Sequence, residues 1–467
     1  MVGIVMVKFV EGWGRPKSYD GGALPRRVLS FGSRAWYFTT FLVWLMAVMA
    51  VVALPQCGSA KTTIKLWINH GVEEEPLFVE VVKQFEKLHP DIEVDLSNTP
   101  TGDQDNYYVK VTTAAVAGTL ADVFYVRPGT DRRFAAEGFV YDIDPLVRRD
   151  AEELRIEDFI GAQIPELQYQ GKWWALPYDL SSIGLWYNAD LFDQMGLRYP
   201  DDNWTWPDVI EAARKLTRRS GEKTAVWGLG DVYDWWMSQY LEGFLLTEGG
   251  RLFNDDYTKC AITEPASINA LKMIADVSRT YHVAPWPNEA NRWLVFSEGR
   301  AAMTLDGSWS VLQQRKRNRF TFDVTMLPRS RSGKRVVSAT GGGWAISRKT
   351  AHIDAAWELV KFLASPAALR VLIVQPARSL PPRQSLLREW VAEVTKEGQS
   401  PRQAWIFAEQ VIRYGRNVPL VTFPYQNVLW AQADALFFGS IPVEEVAAGI
   451  AHQIDLQIQR ALRTRRG

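Results

Sequence analysis

The alternation of strand and helix patterns after residue 61 is the feature that most constrains the fold. The segment TTIKLWIN at 62–69 alternates and is rich in β-branched residues, which predicts a strand. Apolar residues at helical spacing follow in 75–88, and the strand-like segments DIEVDLSNT and ADVFYV flank a second helical segment, DNYYVKVTTAAVAG. A strand–helix–strand–helix–strand order predicts a parallel sheet covered by helices, and hence an α/β fold.

The rest of the chain continues in the same style. A chain of 467 residues is too long for one compact core. SIGLWYN and FDVTMLP are typical of strands, and TWPDVIEAARKL predicts a helix opened by a capping box of Thr205 and Asp208. Neither repeats nor a Gly/Ser-rich linker interrupt the pattern. We therefore expect two α/β lobes that exchange the chain several times.

The first 60 residues read as a secretory leader. A basic region precedes an apolar stretch from about Ala35 to Leu54, and small residues follow. Three interpretations stay open: acylation of Cys57 as in a lipoprotein, cleavage after Ala60, and an uncleaved membrane anchor. Each places the protein outside the cytoplasmic membrane. Cys260 has no evident disulfide partner, so stability must come from packing.

Charge and motif content exclude several classes of function. The 53 basic and 53 acidic residues leave no basic field for nucleic acid. The five histidines are scattered, so no metal site is expected, and no phosphate-binding or nucleophile motif predicts a cofactor or an enzyme. A glycosidase needs two paired carboxylates, and nothing in the sequence singles out such a pair.

Tryptophan content is the anomaly: the chain has 20 tryptophans, and GDVYDWWMSQY at 230–240 places two of them side by side among polar residues. They either fill a core or contact a ligand. Flat aromatic rings stack on the apolar faces of sugars, while acids and amides bond to the hydroxyl groups.

From about Thr62 to Ile454 the chain resembles the extracellular solute-binding proteins of ABC sugar importers, the family that includes maltose-binding protein. The resemblance rests on the order of seven blocks: QFEKLHPDIEV, ADVFYV, GKWWALPYDLSSIGLWYNADLF, TWPDVIEAARKLT, GGRLFND, EGRAAMTLDGSW and GGGWAISRKT…AAWELVKFLASP. No single block identifies the family, because each is short and loosely patterned. Seven blocks in the same order over nearly 400 residues do identify it.

The resemblance implies a two-lobe periplasmic-binding-protein fold of class II, with a ligand cleft between the lobes and several hinge crossovers. The expected first lobe comprises 61–181 plus 343–378, and the second 182–342 plus 379–467. Crossovers are expected near 181–184, 339–343 and 378–382. Such a protein binds a carbohydrate, here an oligosaccharide given the aromatic supply, and delivers it to the membrane subunits of an ABC permease. It is expected to be a monomer.

The resemblance also implies ligand residues in both lobes. DWW falls where the family places an acid and an aromatic against sugar, and DGSW matches the block that places a tryptophan under the sugar. The candidates in the second lobe are Asp234, Trp235, Trp236, Asp306, Trp309, Tyr425 and Trp430. Those at the ends of first-lobe strands and at crossovers are Asn69, His70, Tyr125, Arg127, Tyr178, Asp179, Trp344 and Arg378. Periodic apolar faces instead predict core positions for Trp67, Trp186, Trp357 and Trp405.

Two rival functions stay open. A glycerol phosphodiester would require convergent cations, for which Arg127 and Arg378 are available. A surface-anchored adhesion or scaffold protein would keep the fold without transport, and would show an open cleft that no ligand stabilises.

Overall fold

A computed structural model describes residues 61–100, 104–127, 132–221, 223–230, 238–286, 289–291, 294–417 and 421–464. Residues 60–467 form one compact unit. The strands are, in chain order, β1 (Thr62–Ile68), β2 (Ile92–Asn98), β3 (Val123–Val126), β4 (Gln168–Tyr169), β5 (Lys172–Trp173), β6 (Ala175–Pro177), β7 (Ile183–Asn188), β8 (Arg218–Ser220), β9 (Lys223–Leu229), β10 (Ala301–Gly307), β11 (Phe322–Thr325), β12 (Val337–Ser338), β13 (Gly343–Ile346) and β14 (Gly415–Arg416).

The helices cover the faces of the sheets. They are α1 (Glu75–Leu88), α2 (Gln104–Ala117), α3 (Arg132–Ala136), α4 (Asp144–Arg149), α5 (Ala151–Leu154), α6 (Ala189–Gln194), α7 (Trp206–Leu216), α8 (Ser238–Thr247), α9 (Pro265–Arg279), α10 (Val311–Arg317), α11 (Ile353–Leu363), α12 (Pro366–Leu369), α13 (Leu387–Val394), α14 (Ile406–Tyr414), α15 (Tyr425–Phe437) and α16 (Val443–Thr464).

The first sheet has the strand order β2-β1-β3-β13-β6. β1 is parallel to β2 and β3, as the strand–helix alternation predicts. β13 returns from far along the chain and pairs antiparallel with both β3 and β6. Helix α1 covers this sheet because its apolar spacing buries Phe78, Val81 and Phe85 on one side.

The second sheet has the order β11-β7-β10-β9-β8. β7 lies between β11 and β10, and its six residues IGLWYN are all buried, which explains its nearly continuous apolar run. β10 pairs antiparallel with β7 and parallel with β9. The predicted capping box of α7 is confirmed, since the Thr205 amide donates to Oδ2 of Asp208 at 2.8 Å. A second apolar cluster packs around this sheet with α15 and α16.

Two links between the sheets are short. We name residues 178–182, which join β6 of the first sheet to β7 of the second, the first passage. Residues 339–342, which join β12 of a two-stranded β12–β14 sheet to β13 of the first sheet, are the second passage. Among the described parts of the chain, no helix is both long and apolar enough to cross a membrane.

Two ion pairs form just after the third expected crossover, near residues 378–382. Arg383 is buried against first-lobe groups and pairs with Asp158, and Glu389 of α13 pairs with Arg370. These ion pairs hold the segment from residue 383 to α13 against residues that precede the crossover.

Of the tryptophans predicted to be core, Trp186 and Trp357 are fully buried. Trp67 is half-buried, and Lys110 Nζ lies 4.1 Å from its ring centroid. The prediction for Trp405 is wrong: it is 39% exposed. Trp405 occupies the cap position before α14, and therefore lies outside the periodic apolar face of that helix.

Candidate ligand-binding site

An aromatic cluster lies at one end of the first sheet. It consists of His70 after β1, Tyr125 on β3, Tyr178 after β6 and Trp344 on β13, all buried. The ring centroids of His70 and Tyr125 are 5.0 Å apart, as are those of Tyr178 and Trp344. Because these residues follow or end neighbouring strands of one sheet, the fold brings together four positions that are distant in sequence.

His70 is the polar centre of this cluster. Neither of its ring nitrogens has a hydrogen-bond partner within the described residues, and the side chain is fully buried. Burial, with a smaller effect of the Arg378 charge, lowers the pKa of His70 well below its ordinary value. The imidazole is therefore neutral, with one donor and one acceptor available to a polar group or water.

An ion network borders the aromatic cluster. The Arg378 guanidinium pairs with Glu74 at the start of α1 and lies 3.5 Å from Oδ2 of Asp179. Its Nη1 is 3.4 Å from the Tyr178 hydroxyl. Burial raises the pKa values of Tyr125 and Tyr178 well above the ordinary value, so both phenols stay protonated. One guanidinium thus faces two carboxylates.

Close packing of the second passage fixes the orientation of Tyr125. A Cβ added to Gly342 would lie 2.1 Å from Cε2 of the Tyr125 ring, so only glycine fits at this position. The amide of Tyr178 donates to the carbonyl of Gly342 at 2.9 Å. The passage therefore supports two of the aromatic side chains directly.

The second lobe contributes Trp309, in a short turn that follows β10. Its ring is partly exposed and lies at 6° to the ring of Tyr240 on α8, with centroids 6.3 Å apart. A Cβ on Gly307 would lie 2.2 Å from the indole, so Gly307 permits this placement. The amide of Ser308 donates to the carbonyl of Ser182 at 2.8 Å. Trp309 therefore lies beside one end of the first passage, and Tyr178 occupies the other end.

Asp306, predicted beside Trp309 as a ligand residue, bonds within its own segment. Its Oδ1 accepts from the Gly307 amide at 2.7 Å and the Ser310 hydroxyl at 2.6 Å, and Oδ2 accepts from Gln314 at 2.9 Å. Burial raises the pKa of Asp306. These bonds hold the turn that carries Trp309, which gives Asp306 a supporting place in the geometry.

The other predicted residues lie in different surroundings. Asn69 is buried and donates to the carbonyl of Thr99 at 2.8 Å. Arg127 lies over the ring of Tyr108, with 4.3 Å between guanidinium carbon and centroid, and donates to its hydroxyl. Tyr425 is fully buried in the second apolar cluster beside Phe253.

The remaining candidates stand apart from these. Trp430, on α15, is 38% exposed. Asp234, Trp235 and Trp236 lie outside the described residues, as does Cys57. Residue 238, where α8 begins, directly follows that segment.

Sequence reasoning missed Tyr240 and Glu74. Tyr240 belongs to the polar aromatic segment 230–240, and that composition is the signal that could have found it. Glu74 lies 304 residues from Arg378, and no sequence pattern connects the two. Within the described residues, no group of three potential metal ligands occurs.

A family model described as bacterial extracellular solute-binding protein matches residues 71–369. The chain belongs to this family. Its members bind solutes and are not enzymes, and their location is outside the cytoplasmic membrane. The resemblance inferred from the sequence blocks is therefore confirmed.

One curated relative is the maltotriose-binding protein of Pyrococcus abyssi, 25% identical over 323 residues, which cover 68% of this chain and 65% of that protein. The match thus spans less than two thirds of that relative's length.

Two solved structures show the fold. An ABC substrate-binding protein of Listeria monocytogenes in complex with cycloalternan is 22% identical with a TM-score of 0.76, covering 85% of this chain and 99% of that one. UgpB of Mycobacterium tuberculosis in complex with glycerophosphocholine is 19% identical with a TM-score of 0.74, covering 86% of this chain and all of that one. The predicted two-lobe class II periplasmic-binding-protein fold is confirmed.

Proposed function

We propose that this protein is the solute-binding component of an ABC importer and that it holds an oligosaccharide between its two lobes. The observation that carries the proposal is the placement of Trp309. Its partly exposed indole lies at the end of the first passage opposite Tyr178. A flat apolar ring beside a passage between lobes suits a sugar ring, and the neutral hydroxyls and imidazole of the first lobe suit its polar edge.

The names of relatives support a carbohydrate ligand. The Pyrococcus protein is named for maltotriose, and a Bacillus subtilis relative that is 22% identical is named for arabinooligosaccharides. Both names describe a sugar of several units, and we infer that class for this chain.

Local charge argues against the rival phosphodiester. Arg378 already faces Glu74 and Asp179, so this group carries a net charge of about −1 with His70 neutral. A phosphate placed there would be repelled by two carboxylates, and the one guanidinium already pairs with them. Arg127, the other candidate cation, already donates to Tyr108.

We further propose that the protein acts as a monomer beside a membrane permease and that Cys57 carries a lipid anchor. Recovery of the full-length protein in the membrane fraction, and its release by Cys57→Ala, would support the anchor. Retention of the variant in the membrane would contradict it.

A thermal-shift screen tests the function. The chain from Lys61 onward, stripped of carried-over solute, is tested with mono- and oligosaccharides, polyols and glycerophosphodiesters. A ligand at a hundred times its dissociation constant adds about 2.7 kcal/mol of stability. We expect shifts with oligosaccharides. Shifts confined to phosphodiesters would favour the rival, and no shift across the panel would favour the scaffold function.

A further inference from the structure

The two passages between the sheets are bonded to each other along their length. Besides the bond from Tyr178 to Gly342, the amide of Ser181 donates to the carbonyl of Thr340 at 2.6 Å. There is no spare room at this contact, because a Cβ on Gly341 would lie 1.9 Å from the Asp179 carbonyl oxygen. The passages therefore form a paired strip, and any change in the angle between the lobes must bend or twist it.

Asp179 is the one acidic side chain within this strip. Its Oδ1 accepts from the amide of Gly342 at 2.5 Å, and its Oδ2 faces Arg378 at 3.5 Å. The residue is only 5% exposed. Both carboxylate oxygens are thus engaged by the protein itself, one on the second passage and one on the first-lobe segment that follows α12.

Two buried glutamines hold the ends of the first passage. Nε2 of Gln163, in the first lobe, donates to the carbonyl of Asp179 at 2.7 Å and to that of Gly342 at 3.3 Å. Nε2 of Gln410, on α14, donates to Oγ of Ser182 at 2.8 Å. Between these two anchors, the backbone of Leu180 exchanges hydrogen bonds with Leu380, and Ser181 donates to Thr340, so rotation of one lobe against the other has to bend these bonded segments together.

We propose that Asp179 is a positioning residue of the hinge: its charge, facing Arg378, ties the paired passages to the segment that follows α12 and so sets the angle between the lobes. It acts on the solute through the hinge and not by contact. Without the Asp179 carboxylate, the lobes can adopt angles that separate Trp309 from the first-lobe aromatic cluster. The fraction of molecules that can bind the solute then falls. The apparent dissociation constant rises in inverse proportion to that fraction.

The test measures the distance between the lobes by double electron–electron resonance. Labels replace Val116 on α2 and Met195 after α6, which are 73% and 43% exposed. Cys260 is buried and stays unlabelled. In Asp179→Asn the amide oxygen still accepts from Gly342, but the charge facing Arg378 is gone. We expect a shifted or broadened distance distribution without solute, and solute affinity weaker by about tenfold.

Asp158→Asn is the matched control. Asp158 also accepts a backbone amide, that of Ser385 at 2.8 Å, and pairs with an arginine, Arg383, at 3.2 Å, but it belongs to neither passage. We expect it to lower stability while the distance distribution stays that of the wild type. If Asp179→Asn does not fold, Gln163→Met, which removes the two bonds of its Nε2, takes its place with the same expectation.

An Asp179→Asn protein that loses affinity with an unchanged distance distribution would overturn the inference, because that result indicates direct contact with the solute. An unchanged distribution together with unchanged affinity would overturn it as well. The expected loss of affinity rests on the proposed function, whereas the distance measurement needs no solute. A shifted distribution in a protein that binds no carbohydrate would therefore reject the proposed function and keep the hinge role.

Discussion

The indole of Trp309 lies almost parallel to the ring of Tyr240, with 6° between the planes and 6.3 Å between the centroids. This spacing is that of an offset pair, so part of the Trp309 face remains available for another ring. Tyr240 lies on α8, whereas Trp309 follows a strand of the second sheet. The pair therefore connects α8, which follows the segment 231–237, to the Ser182 end of the first passage.

Replacing Trp309 with alanine removes the proposed stacking surface. We expect oligosaccharide affinity to fall by about 2 kcal/mol, or about 30-fold, as for a central aromatic contact. Calorimetric titration measures this change. Trp405→Ala, which removes a tryptophan that is 39% exposed on α14's cap, should bind as the wild type does. Equal affinity for Trp309→Ala and the wild type would show that the indole does not contact the sugar.

Gly342→Ala tests the close contact that supports Tyr125. The new methyl group would lie 2.1 Å from the ring, so we expect the free energy of unfolding to fall by about 1–3 kcal/mol. Urea unfolding measures it. At Gly161 a Cβ meets nothing within 4 Å, and Gly161→Ala should have little effect. Equal stabilities of the two variants would contradict the described packing.

His70 makes stability depend on pH. Its pKa is lowered in the folded state, so below the ordinary value of about 6.5 the unfolded chain binds a proton that the folded chain does not. The contribution of neutral His70 to the free energy of unfolding is therefore fully present above pH 6.5. It is lost as pH falls towards the pKa of the folded state, by at most about 1.4 kcal/mol per pH unit. Unfolding of His70→Gln between pH 7.5 and 5 should show a smaller loss than wild type. His352→Gln, at an exposed position, should match wild type.

Glu242 on α8 should act in the opposite direction. Burial raises its pKa to about 7, so the carboxyl is stable in the fold when protonated, and that contribution is lost as pH rises through 7. Glu242→Gln keeps an acceptor for the amide of Leu252, which bonds to this side chain at 3.0 Å. We expect the variant to exceed wild type in unfolding free energy by about 2 kcal/mol at pH 9. The gain should vanish near pH 4.5.

Urea unfolding at both pH values checks this prediction for Glu242. Glu80→Gln, at an exposed position on α1, is the matched control. A gain of equal size at pH 4.5 and pH 9 would contradict the buried, protonated carboxyl.

Much of the fold is predictable from local pattern. The alternation from Thr62 to Val126 gives the parallel strands of the first sheet, and Thr205 with Asp208 gives the start of α7. These features depend on residues close together in sequence. The antiparallel β13 is different, because its place between β3 and β6 depends on contacts across more than 160 residues.

The site is less predictable than the fold. All four residues of β13 are buried, so alternation does not tell whether Trp344 faces a core or a cleft. Tyr425 is a second example. An aromatic side chain suits a sugar-binding site, yet Tyr425 is buried beside Phe253. The partners of Arg378 are Glu74, just before α1, and Asp179 in the first passage, and only the folded chain shows that two carboxylates face this guanidinium.

A crystal structure of the chain with the oligosaccharide that most raises its melting temperature tests the central claim most directly. We predict a sugar ring on the face of Trp309, with other rings of the ligand extending towards the first-lobe cluster around His70 and Tyr178. A ligand bound on the outer surface of one lobe, with Trp309 uncovered, would contradict a binding site between the lobes.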